Sequence, residues 1–408
     1  MDRESSAGLY GGVFHICLGC GCGGCLQGCF KFLLGAELPR SITATNIVLI
    51  PKVQCPQDFT QYRPISLCNF INKVLSRILS DRLAQILPRL ISLQQSGFVK
   101  GRKIVDNFLL AQEMVTDIGK PSRGGNVVVK LDMMKTYDRV SWCFLLQVMR
   151  RFGFSETWID AIWRLVSNVG FSILINGTPQ GFFRSTRGLR QGDPLSPALF
   201  VLGAEGLSRA LTALVEQRQF HPFKVPIGCP IITHLAFADD VVIFTSGLKS
   251  SLRLVVRVLE DYCEGSGQKI NKQKSAFLVH PRISLHRCSI IRQLTGFQKR
   301  SFPIRYLGCP LYTGRRKKEY FGEISKAIVS RILSWKQRIL SPGGKVVLLK
   351  HILSSLPIHL LAAASPPKGV LREIEREMAA FLWGSSEFGP RFHWIKWDDL
   401  CRPYEEGG

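Results

Sequence analysis

Residues 233–245, Thr-His-Leu-Ala-Phe-Ala-Asp-Asp-Val-Val-Ile-Phe-Thr, place two adjacent carboxylates between two apolar, β-branched segments. The pattern predicts a strand from Ile231 to Phe237, a turn at Ala238-Asp239-Asp240, and a second strand from Val241 to Thr245. Such a hairpin lifts the two acids out of a buried sheet on a short loop. Because adjacent carboxylates repel each other, a cation between them would stabilise their charged forms. The alternative interpretation is an ordinary β-turn, in which Asp is common.

A second buried strand is predicted by Asn126-Val127-Val128-Val129-Lys130-Leu131, with Asp132 at its carboxyl end. An acid at that position can point from the sheet edge towards the hairpin that carries the other two acids. Carboxylates are the hard oxygen ligands that magnesium prefers, and magnesium keeps substrate phosphates among its ligands. Two such ions, about 4 Å apart, would stabilise the attacking and leaving oxygens of an in-line phosphoryl transfer. The alternative for Asp132 is an edge-strand acid or a helix cap.

The charge of the chain is strongly positive and unevenly distributed. The net charge is +24 over 408 residues, and residues 281–350 hold 16 Lys and Arg against two Glu. This excess favours a polyanionic partner, either nucleic acid or an anionic membrane, and a surface that follows phosphates. The alternative is a basic face that only confers solubility. A hydrophobic content of 46% is typical of globular domains with real cores.

The first 35 residues differ in composition from the rest of the chain. The apolar run is interrupted by glycines and the start lacks a basic excess, which argues against a secretion signal or a membrane span. The cysteine spacing is not a standard zinc pattern. We interpret the segment as a degenerate leader. Eight cysteines beyond it are scattered singly, which favours a reducing compartment.

Two glycine-containing segments are candidate phosphate-binding loops. Gln95-Ser96-Gly97-Phe98-Val99-Lys100-Gly101-Arg102 is predicted to be a mobile basic loop that holds a triphosphate, with a solvated hairpin as the alternative. In Arg187-Gly188-Leu189-Arg190-Gln191-Gly192-Asp193-Pro194-Leu195-Ser196-Pro197, the glycines allow close backbone approach to a ligand. The two prolines suit the first turn of a helix that continues through Leu207. A helix N-terminus in this setting can receive a phosphate or sugar of a nucleotide.

Several helices are predicted from apolar spacing. Residues from Ile71 to Leu87 form one apolar stripe, with Pro88 as the predicted stop. A second stripe runs from Phe321 to Ile339, is predicted to end at Ser341-Pro342-Gly343-Gly344, and is followed by a helix from Lys345 to Leu356. Two amphipathic helices with basic outer faces suit contact with a duplex backbone, and a plain helical pair is the alternative. An aromatic cluster is interpreted as core and consists of Trp383, His393, Trp394 and Trp397.

Seven segments together resemble the reverse transcriptase domain of plant non-LTR (long interspersed) retroelements. They stand in the order of that family, and the resemblance covers residues 38 to 408. The segments are Tyr62-Arg63-Pro64-Ile65-Ser66-Leu67, the loop 95–102, Leu131-Asp132 to Tyr137-Asp138-Arg139-Val140, Arg190-Gln191-Gly192-Asp193-Pro194-Leu195-Ser196-Pro197, Phe237-Ala238-Asp239-Asp240, Ser266-Gly267-Gln268-Lys269-Ile270-Asn271 with Lys274-Ser275, and Tyr306-Leu307-Gly308.

The resemblance implies an α+β right-hand polymerase fold of fingers, palm and thumb, with a βαββ-type palm and a helical thumb. The chain ends at Glu405-Glu406-Gly407-Gly408, inside a segment that normally continues in the family, so we interpret it as a truncated element. The implied ranges are 1–37 for a degenerate or low-complexity segment, 38–125 for the fingers, 126–312 for the palm, and 313–408 for the thumb with the start of a truncated C-terminal region.

The resemblance also implies roles for individual residues in catalysis. Asp132, Asp239 and Asp240 match the metal-binding carboxylates, which would hold two Mg²⁺ ions, with Mn²⁺ as an alternative. Tyr137 matches the side chain that excludes a ribose 2′-hydroxyl. Lys274 stands where a lysine can protonate the leaving pyrophosphate as a general acid.

Further positions match the substrate-contacting segments of the family. Gln191 and Gly192 would line the site of the template and the incoming nucleotide, and the segment at Tyr306, Leu307 and Gly308 would be the primer grip. The triphosphate candidates are Arg63, Lys73 and Arg102. Two departures from the family pattern remove no metal ligand, and they are Thr136 in place of the usual alanine and Met134 in place of a frequent serine.

The implied activity is RNA-directed DNA synthesis, in which a DNA primer is extended on an RNA template from deoxynucleoside triphosphates. We expect it in the nucleus or cytoplasm, without stable membrane association; the sequence indicates no protein partner. The alternative function is that of a catalytically inactive RNA-binding remnant or a maturase-like splicing helper. The carboxylate trio argues against that alternative, whereas truncation of the element argues for it.

Overall fold

The computed structural model describes residues 23–336, 340–353, 358–386, 389–390, 395–402 and 405. The strands are β1 (Thr45–Pro51), β2 (Tyr62–Cys68), β3 (Asn126–Leu131), β4 (Gly170–Ile175), β5 (Thr178–Arg184), β6 (His234–Phe237), β7 (Asp240–Ser246), β8 (Ala276–Val279), β9 (Gln298–Lys299), β10 (Ile304–Tyr306), β11 (Cys309–Leu311), β12 (Ser385–Ser386) and β13 (Gly389–Pro390). The α-helices are α1 (Gly23–Leu33), α2 (Arg40–Thr43), α3 (Phe70–Leu90), α4 (Ile104–Thr116), α5 (Thr136–Arg139), α6 (Trp142–Arg151), α7 (Glu156–Ser167), α8 (Ser196–Ala213), α9 (Lys249–Ser266), α10 (Leu285–Thr295), α11 (Gly322–Lys336), α12 (Pro342–Leu348), α13 (Ile358–Ala364), α14 (Lys368–Trp383) and α15 (Trp397–Leu400).

The chain separates into two compact units. Unit 1 contains the described residues up to Asn107 together with Asp117–Arg300, and unit 2 contains Phe108–Thr116 together with the described residues from Ser301 onward. The predicted fingers and most of the predicted palm therefore share unit 1. The break between the units follows Arg300, whereas the predicted boundary between palm and thumb follows residue 312.

Unit 1 contains a five-stranded sheet with the strand order β6-β7-β3-β8-β9. The β3 sequence Asn-Val-Val-Val-Lys-Leu suits its central place, because β-branched residues pack well on a sheet that is covered on both faces. Val127, Val128 and Leu131 are fully buried. β3 is antiparallel to both β7 and β8, so its ladder hydrogen bonds are made on both sides. The predicted strand at this position is confirmed.

A second sheet in unit 1 has the order β2-β1-β4-β5. β1 and β2 are antiparallel along their whole length, from the Thr45–Cys68 pair to the Pro51–Tyr62 pair. The outer strand β5 is exposed at every position. Asn69 then caps α3, because its side-chain oxygen accepts a hydrogen bond from the Ile71 amide at 3.0 Å.

Long helices that pack against one another build one core of unit 1. The α3 residues Leu75, Leu79 and Leu83 are at most 1% exposed, as are Val201 and Leu202 of α8. Ser196–Glu216 is, among the described residues, the one helical segment long and apolar enough to cross a membrane, and 61% of its apolar 18-residue window is buried inside the protein. Its apolar composition matches that of a core helix.

Helix α1 belongs to the folded part of unit 1, although it lies in the segment predicted to be low-complexity. Cys29 and Phe32 are buried, at 0% and 1% exposure. The Arg164 guanidinium of α7 donates to the Phe32 carbonyl at 2.8 Å and to the Ala36 carbonyl at 2.7 Å, and it stacks over the Phe32 ring at 4.4 Å. The prediction for residues 1–37 did not anticipate this helix, whose apolar side chains occupy a core position despite the neighbouring glycines.

Three smaller expectations also need correction. The first hairpin strand begins at His234 rather than Ile231, and Asp240 belongs to β7 rather than to the turn. Pro88 does not stop α3, because the missing proline amide breaks one bond only and the Ile91 amide still reaches the Leu87 carbonyl at 2.9 Å.

Unit 2 contains the hairpin β10–β11 and a group of helices. Phe321, Ile328 and Ile332 of the predicted apolar stripe are at most 1% exposed, so that helix is confirmed where its side chains are described. Ser341 starts α12 instead of ending a helix, because its hydroxyl accepts a hydrogen bond from the Gly344 amide at 3.2 Å and Pro342 occupies the first turn. His393 and Trp394 of the predicted aromatic cluster lie outside the described residues.

Candidate active site

The register of the five-stranded sheet brings two of the three predicted carboxylates together. Leu131 of β3 pairs with Val241 of β7. Asp132 and Asp240 each stand one residue further out, so they are cross-strand neighbours at the same end of the sheet. Both are half-buried. The sequence-based prediction that the end of β3 faces the hairpin agrees with this register.

The third carboxylate occupies the turn between β6 and β7. Phe237 pairs with Asp240, which leaves Ala238 and Asp239 as a two-residue turn. Ala238 has a φ of +55°, a left-handed conformation that a non-glycine residue seldom adopts. Ala238 is buried, whereas Asp239 is exposed. The turn therefore presents one accessible carboxylate on a buried backbone.

The electrostatic environment of Asp240 disfavours its ionised form. Burial raises the pKa of Asp240, and the charges of Asp239 and Asp132 raise it further, while Lys130 acts in the opposite direction. A bound cation would remove this conflict, because its charge favours the ionised carboxylates. Sequence reasoning did not single out Lys130, although it stands only two residues before Asp132.

The carboxylate oxygens of this site suit magnesium, and they leave part of its coordination sphere open. Among the described residues, no three His, Cys, Asp or Glu side chains converge closely enough to hold one ion by themselves. Magnesium in phosphoryl-transfer sites takes one or two carboxylates and completes its octahedron with water and substrate phosphates. An exposed Asp239 beside the half-buried Asp132 and Asp240 offers that incomplete set of hard oxygen ligands. The residues therefore fit a metal that binds together with substrate.

Tyr137 lies next to the carboxylates, on the short helix α5. Its ring stacks on Phe200 with centroids 5.0 Å apart and an interplanar angle of 15°. Burial raises the pKa of Tyr137 to about 12, and the charge of Asp239 adds to the rise. The phenol is therefore neutral at physiological pH. Its backbone carbonyl accepts from the Leu189 amide at 2.7 Å, which joins α5 to the glycine-containing loop.

Gln191 and Gly192 are held against β2 on one side and α5 on the other. The Ser66 amide donates to the Gln191 carbonyl at 2.7 Å, and the Gln191 side-chain amide donates to an Asp138 carboxylate oxygen at 3.3 Å. Gly192 has a φ of +104°, and a Cβ there would stand 3.1 Å from the Ser66 carbonyl oxygen. Glycine is therefore required by both conformation and space. Ser66, Asp138 and Gln191 also line a cavity of about 240 Å³.

A buried polar cluster supports this loop from beneath. Arg190 forms an ion pair with Asp193 and donates to the Asn72 side-chain oxygen at 3.0 Å. Asp193 also accepts from the Ser76 hydroxyl at 3.2 Å. The cluster is not fully satisfied, because the Nη1 atom of Arg190 and the Nδ2 atom of Asn72 are buried without a hydrogen-bond partner. The role of Asn72 and Ser76 was not predicted, because they lie on α3, more than 110 residues earlier in the chain.

Lys274 lies on a turn that is bonded to the backbone of Asp132. The Asn271 amide donates to the Asp132 carbonyl at 2.8 Å, and the Asp132 amide donates to the Ser275 hydroxyl at 3.0 Å. The Asn271 side chain accepts from the Lys274 amide at 3.2 Å and stabilises the turn. Lys274 is exposed. The structure thus places it beside the end of β3 with a solvent-accessible ammonium group.

The three triphosphate candidates differ in their surroundings. Arg63 on β2 and Lys73 on α3 are exposed. The guanidinium of Arg102 is directed inward and donates to the carbonyls of Pro88, Ile91, Ser92 and Gln95. It would have to give up these bonds to hold a phosphate, so the geometry favours a structural role for Arg102.

The predicted primer-grip segment forms the hairpin β10–β11 in unit 2. Tyr306 pairs with Cys309, so Leu307 and Gly308 form a two-residue turn with φ values of +49° and +80°. The Tyr306 ring is 1% exposed and therefore belongs to the interior of the unit. The prediction of a strand pair at this segment is confirmed, and its role in primer binding remains a prediction.

Two residues that contact the Asp239 turn were not predicted to belong to the site. The Gln95 side chain binds the Ala238 backbone, 143 positions away, and the Thr136 hydroxyl binds the Asp239 carboxylate, 103 positions away. No local sequence pattern predicts contacts between residues so far apart in the chain. The motif that contains Gln95 was instead predicted to bind a triphosphate, which the buried side chain does not favour.

The arrangement of these residues is typical of proteins that catalyse nucleotidyl transfer. Carboxylates stand at one end of an antiparallel sheet, and a glycine-containing loop with an amide side chain lies next to them. The model of the family "Reverse transcriptase (RNA-dependent DNA polymerase)" matches residues 50–311, and the chain belongs to that family. Its α+β fold is accordingly the right-hand polymerase fold.

The relatives include proteins of retrotransposable elements. The chain is 26% identical over 379 residues to a transposon TX1 protein of 149 kDa from Xenopus laevis, covering 91% of this chain and 28% of that protein. It is also 26% identical over 389 residues to a Pol polyprotein of the type-2 element R2DM from Drosophila melanogaster, covering 92% and 33% respectively. A putative ribonuclease H protein of Arabidopsis thaliana is 35% identical over 99 residues, covering 24% and 16%. The chain thus spans about a third of the length of the first two relatives.

Proposed function

We propose that this chain is an RNA-directed DNA polymerase of a non-LTR retroelement, in particular a plant element. The observation that carries the proposal is the placement of Asp132, Asp239 and Asp240 at one end of the five-stranded sheet. Membership of the reverse transcriptase family supports the reaction class. The retrotransposon relatives support the non-LTR assignment, and the short Arabidopsis match supports plant origin.

In the proposed reaction, the 3′-hydroxyl of a DNA primer attacks the α-phosphate of a deoxynucleoside triphosphate opposite an RNA template. Two Mg²⁺ ions, when bound, would supply charge stabilisation for the entering and leaving oxygens. Asp132 and Asp239 would hold them, and Asp240 would support them from β7. Mn²⁺ carries the same charge and accepts the same oxygen ligands, so it is the expected substitute.

The other residues of the site have roles that follow from their positions. The stacked Tyr137 ring would form a rigid wall against a ribose 2′-hydroxyl, since its contact with Phe200 restricts its movement. Gln191, held by Asp138, would contact the incoming nucleotide or template. The exposed ammonium group of Lys274 would donate a proton to the departing pyrophosphate. Arg63 and Lys73 would attract the triphosphate by charge.

The proposed partners are an RNA template, a DNA primer and deoxynucleoside triphosphates, and the proposed location is the nucleus or cytoplasm. A net charge of +24 supports a polyanionic partner. The exposed Cys55 and Cys143 form no disulfide, which supports a reducing compartment.

Primer extension tests the proposal. The purified chain is given an RNA template, a labelled DNA primer, Mg²⁺ and deoxynucleotides, and it is compared with an Asp239→Ala, Asp240→Ala double variant. The matched control is Glu260→Ala, Asp261→Ala, which removes two adjacent exposed acids from α9. We expect extension by the parent and the control, and none by the Asp239/Asp240 variant.

The alternative function is that of an RNA-binding remnant or a maturase-like RNA-binding protein. It is distinguished by measuring RNA affinity on the same three proteins. If none of them extends a primer while all three bind RNA equally, the polymerase proposal fails and the remnant is the better account.

A further inference from the structure

The turn that carries Asp239 is contacted from two sides by side chains that belong to other segments. On one side, the Thr136 hydroxyl donates to the Asp239 Oδ2 atom at 3.2 Å. Thr136 is 5% exposed and is the first residue of α5. A hydroxyl in this place restricts the rotation of the carboxylate, because one of its oxygen atoms has a fixed partner.

The position of Thr136 is itself fixed by the segment before β8. The Gln268 side-chain amide, 5% exposed, donates to the Thr136 carbonyl at 2.9 Å. The Met134 amide donates to the Lys269 carbonyl at 2.8 Å, which holds the residues before α5 to the same segment. The hydroxyl that reaches Asp239 is therefore carried by a backbone with its own buried partners.

On the other side, Gln95 binds the peptide that precedes Asp239. Its Oε1 atom accepts from the Ala238 amide and from the Gly97 amide, both at 2.8 Å, and its Nε2 atom donates to the Ala238 carbonyl at 3.3 Å. Gln95 is 3% exposed. One amide group thus satisfies both backbone groups of the left-handed Ala238, which would otherwise be buried without partners.

The backbone on both sides of Gln95 also contacts β6 and the turn that follows it. The Ser96 amide donates to the Ala236 carbonyl, and the Ala236 amide donates to the Gln94 carbonyl, both at 2.9 Å. A Cβ at Gly97 would stand 2.4 Å from the Ala238 nitrogen, so only glycine permits the approach. The segment that was predicted to hold a triphosphate lies against the catalytic turn instead.

We infer that Thr136 and Gln95 are positioning residues for Asp239: Thr136 sets the direction of its carboxylate and Gln95 sets the conformation of its backbone. The inference rests on the proposed function for the metal. Hydrogen-bond partners of metal-binding carboxylates preorganise the site, and their loss weakens metal affinity by about 10-fold or more.

Metal binding without catalysis tests the inference. Mn²⁺ alone is titrated into the full chain, and the free ion is followed by electron paramagnetic resonance. The Asp239→Asn variant identifies the part of the binding that depends on this carboxylate. We expect Thr136→Val, which keeps the shape and removes the hydroxyl, to weaken that binding about 10-fold. Thr136→Ser keeps the hydroxyl and should stay within about 2-fold of the parent.

The second side is tested with Gln95→Met, which keeps the length of the side chain and removes its amide. The matched control is Gln94→Ala, because Gln94 contributes its backbone carbonyl to the β6 contact and keeps it in the variant. We expect about 10-fold weaker Mn²⁺ binding for Gln95→Met and no change for Gln94→Ala. Thermal unfolding of each variant identifies any that does not fold, and the Thr136 pair decides the question if Gln95→Met unfolds.

The outcomes separate this inference from the proposed function. Weaker Mn²⁺ binding by Thr136→Val, with recovery in Thr136→Ser, supports the inference even if the parent extends no primer. Equal or tighter Mn²⁺ binding by a folded Thr136→Val overturns it even if the parent is an active polymerase. A parent chain without any Asp239-dependent Mn²⁺ binding also overturns it.

Discussion

Two hairpins in this protein have the same kind of two-residue turn but different surroundings. In β6–β7, the turn contains a left-handed Ala238 and an exposed Asp239. In β10–β11, Leu307 and Gly308 are both left-handed and the preceding Tyr306 is buried. The first turn is part of a five-stranded sheet, whereas the second belongs to a separate two-stranded ladder. The first turn therefore combines contacts from distant side chains with an accessible carboxylate, which is the combination that the proposed site requires.

The largest expected effect comes from Asp132, which β3 places next to the first hairpin. Asp132→Asn removes the carboxylate that β3 places beside Asp240, and we expect primer extension to fall on the order of 1,000-fold, because a metal ligand is lost. Single-nucleotide extension rates provide the measurement, and Glu260→Gln on the surface of α9 is the chemical control. A decrease of less than 10-fold would show that the hairpin acts without its neighbouring strand.

A pH effect on stability is expected from His234, the first residue of β6 in the first hairpin. Burial lowers the pKa of His234 to about 4, below the ordinary value of 6.5. Between these two pH values the unfolded chain binds a proton that the folded chain excludes, so stability falls as the pH decreases from 6.5 to about 4 and then levels off. The total loss is about 3 kcal/mol, from about 1.4 kcal/mol per pKa unit.

Denaturant unfolding at several pH values measures this effect. His234→Gln keeps a polar side chain for its partners, the hydroxyls of Ser208 at 2.7 Å and Thr233 at 2.9 Å, and removes the titration. The pH-dependent loss should shrink by the same amount in this variant. An unchanged pH profile would mean that other groups account for the acid sensitivity of the parent.

The contact between Gly97 and the first turn offers a comparison of two glycines in one loop. Gly97→Ala places a methyl group against the Ala238 nitrogen and displaces the turn, so we expect extension to fall about 100-fold. Gly101 has a φ of +86° and open space around its Cβ position. Gly101→Ala should therefore cost about 1 kcal/mol of stability and leave extension unchanged. Equal losses in both variants would argue against a specific role for the Gly97 contact.

The smallest effect is expected in the second hairpin. Tyr306→Phe keeps the buried ring and should lower stability by about 1 kcal/mol at most, with extension unchanged. Tyr306→Ala should lower it by about 3 kcal/mol or more, because a cavity replaces the ring. Chemical unfolding compares the two variants. If Tyr306→Phe abolishes extension while the fold is intact, the hydroxyl contacts the primer directly and the contrast between the hairpins disappears.

Local sequence patterns predicted the elements that carry the site but not the contacts that hold it. The triple valine of β3 and the apolar residues around Asp239 and Asp240 indicated buried strands, because such residues pack on covered sheets. The family resemblance predicted that the three acids lie together, and the register of β3 and β7 places Asp132 and Asp240 at the same end of the sheet. Side-chain direction was harder to predict, since Arg102 is a basic residue in a glycine-bracketed loop yet donates inward to four carbonyls.

The errors at element boundaries have local physical reasons. Ser341 and Pro342 resemble a helix stop in sequence, but serine followed by proline is equally typical of a helix start. Pro88 was expected to end α3, yet one missing amide near the last turn costs little. The positions of Gln95 and Thr136 depend on pairing between segments more than 100 residues apart, which no window of sequence reveals.

The contact between α1 and Arg164 sets a practical limit for anyone who shortens this protein for expression. Deletion up to residue 37 would take away the two carbonyls and the ring that now surround a guanidinium on α7. The cation would keep its ion pair with Asp160 at 2.7 Å but would lose two hydrogen bonds beside the space vacated by Cys29 and Phe32, and unpaired buried N–H groups are costly. Recombinant versions should therefore begin no later than Gly23, even though the family match itself starts at residue 50.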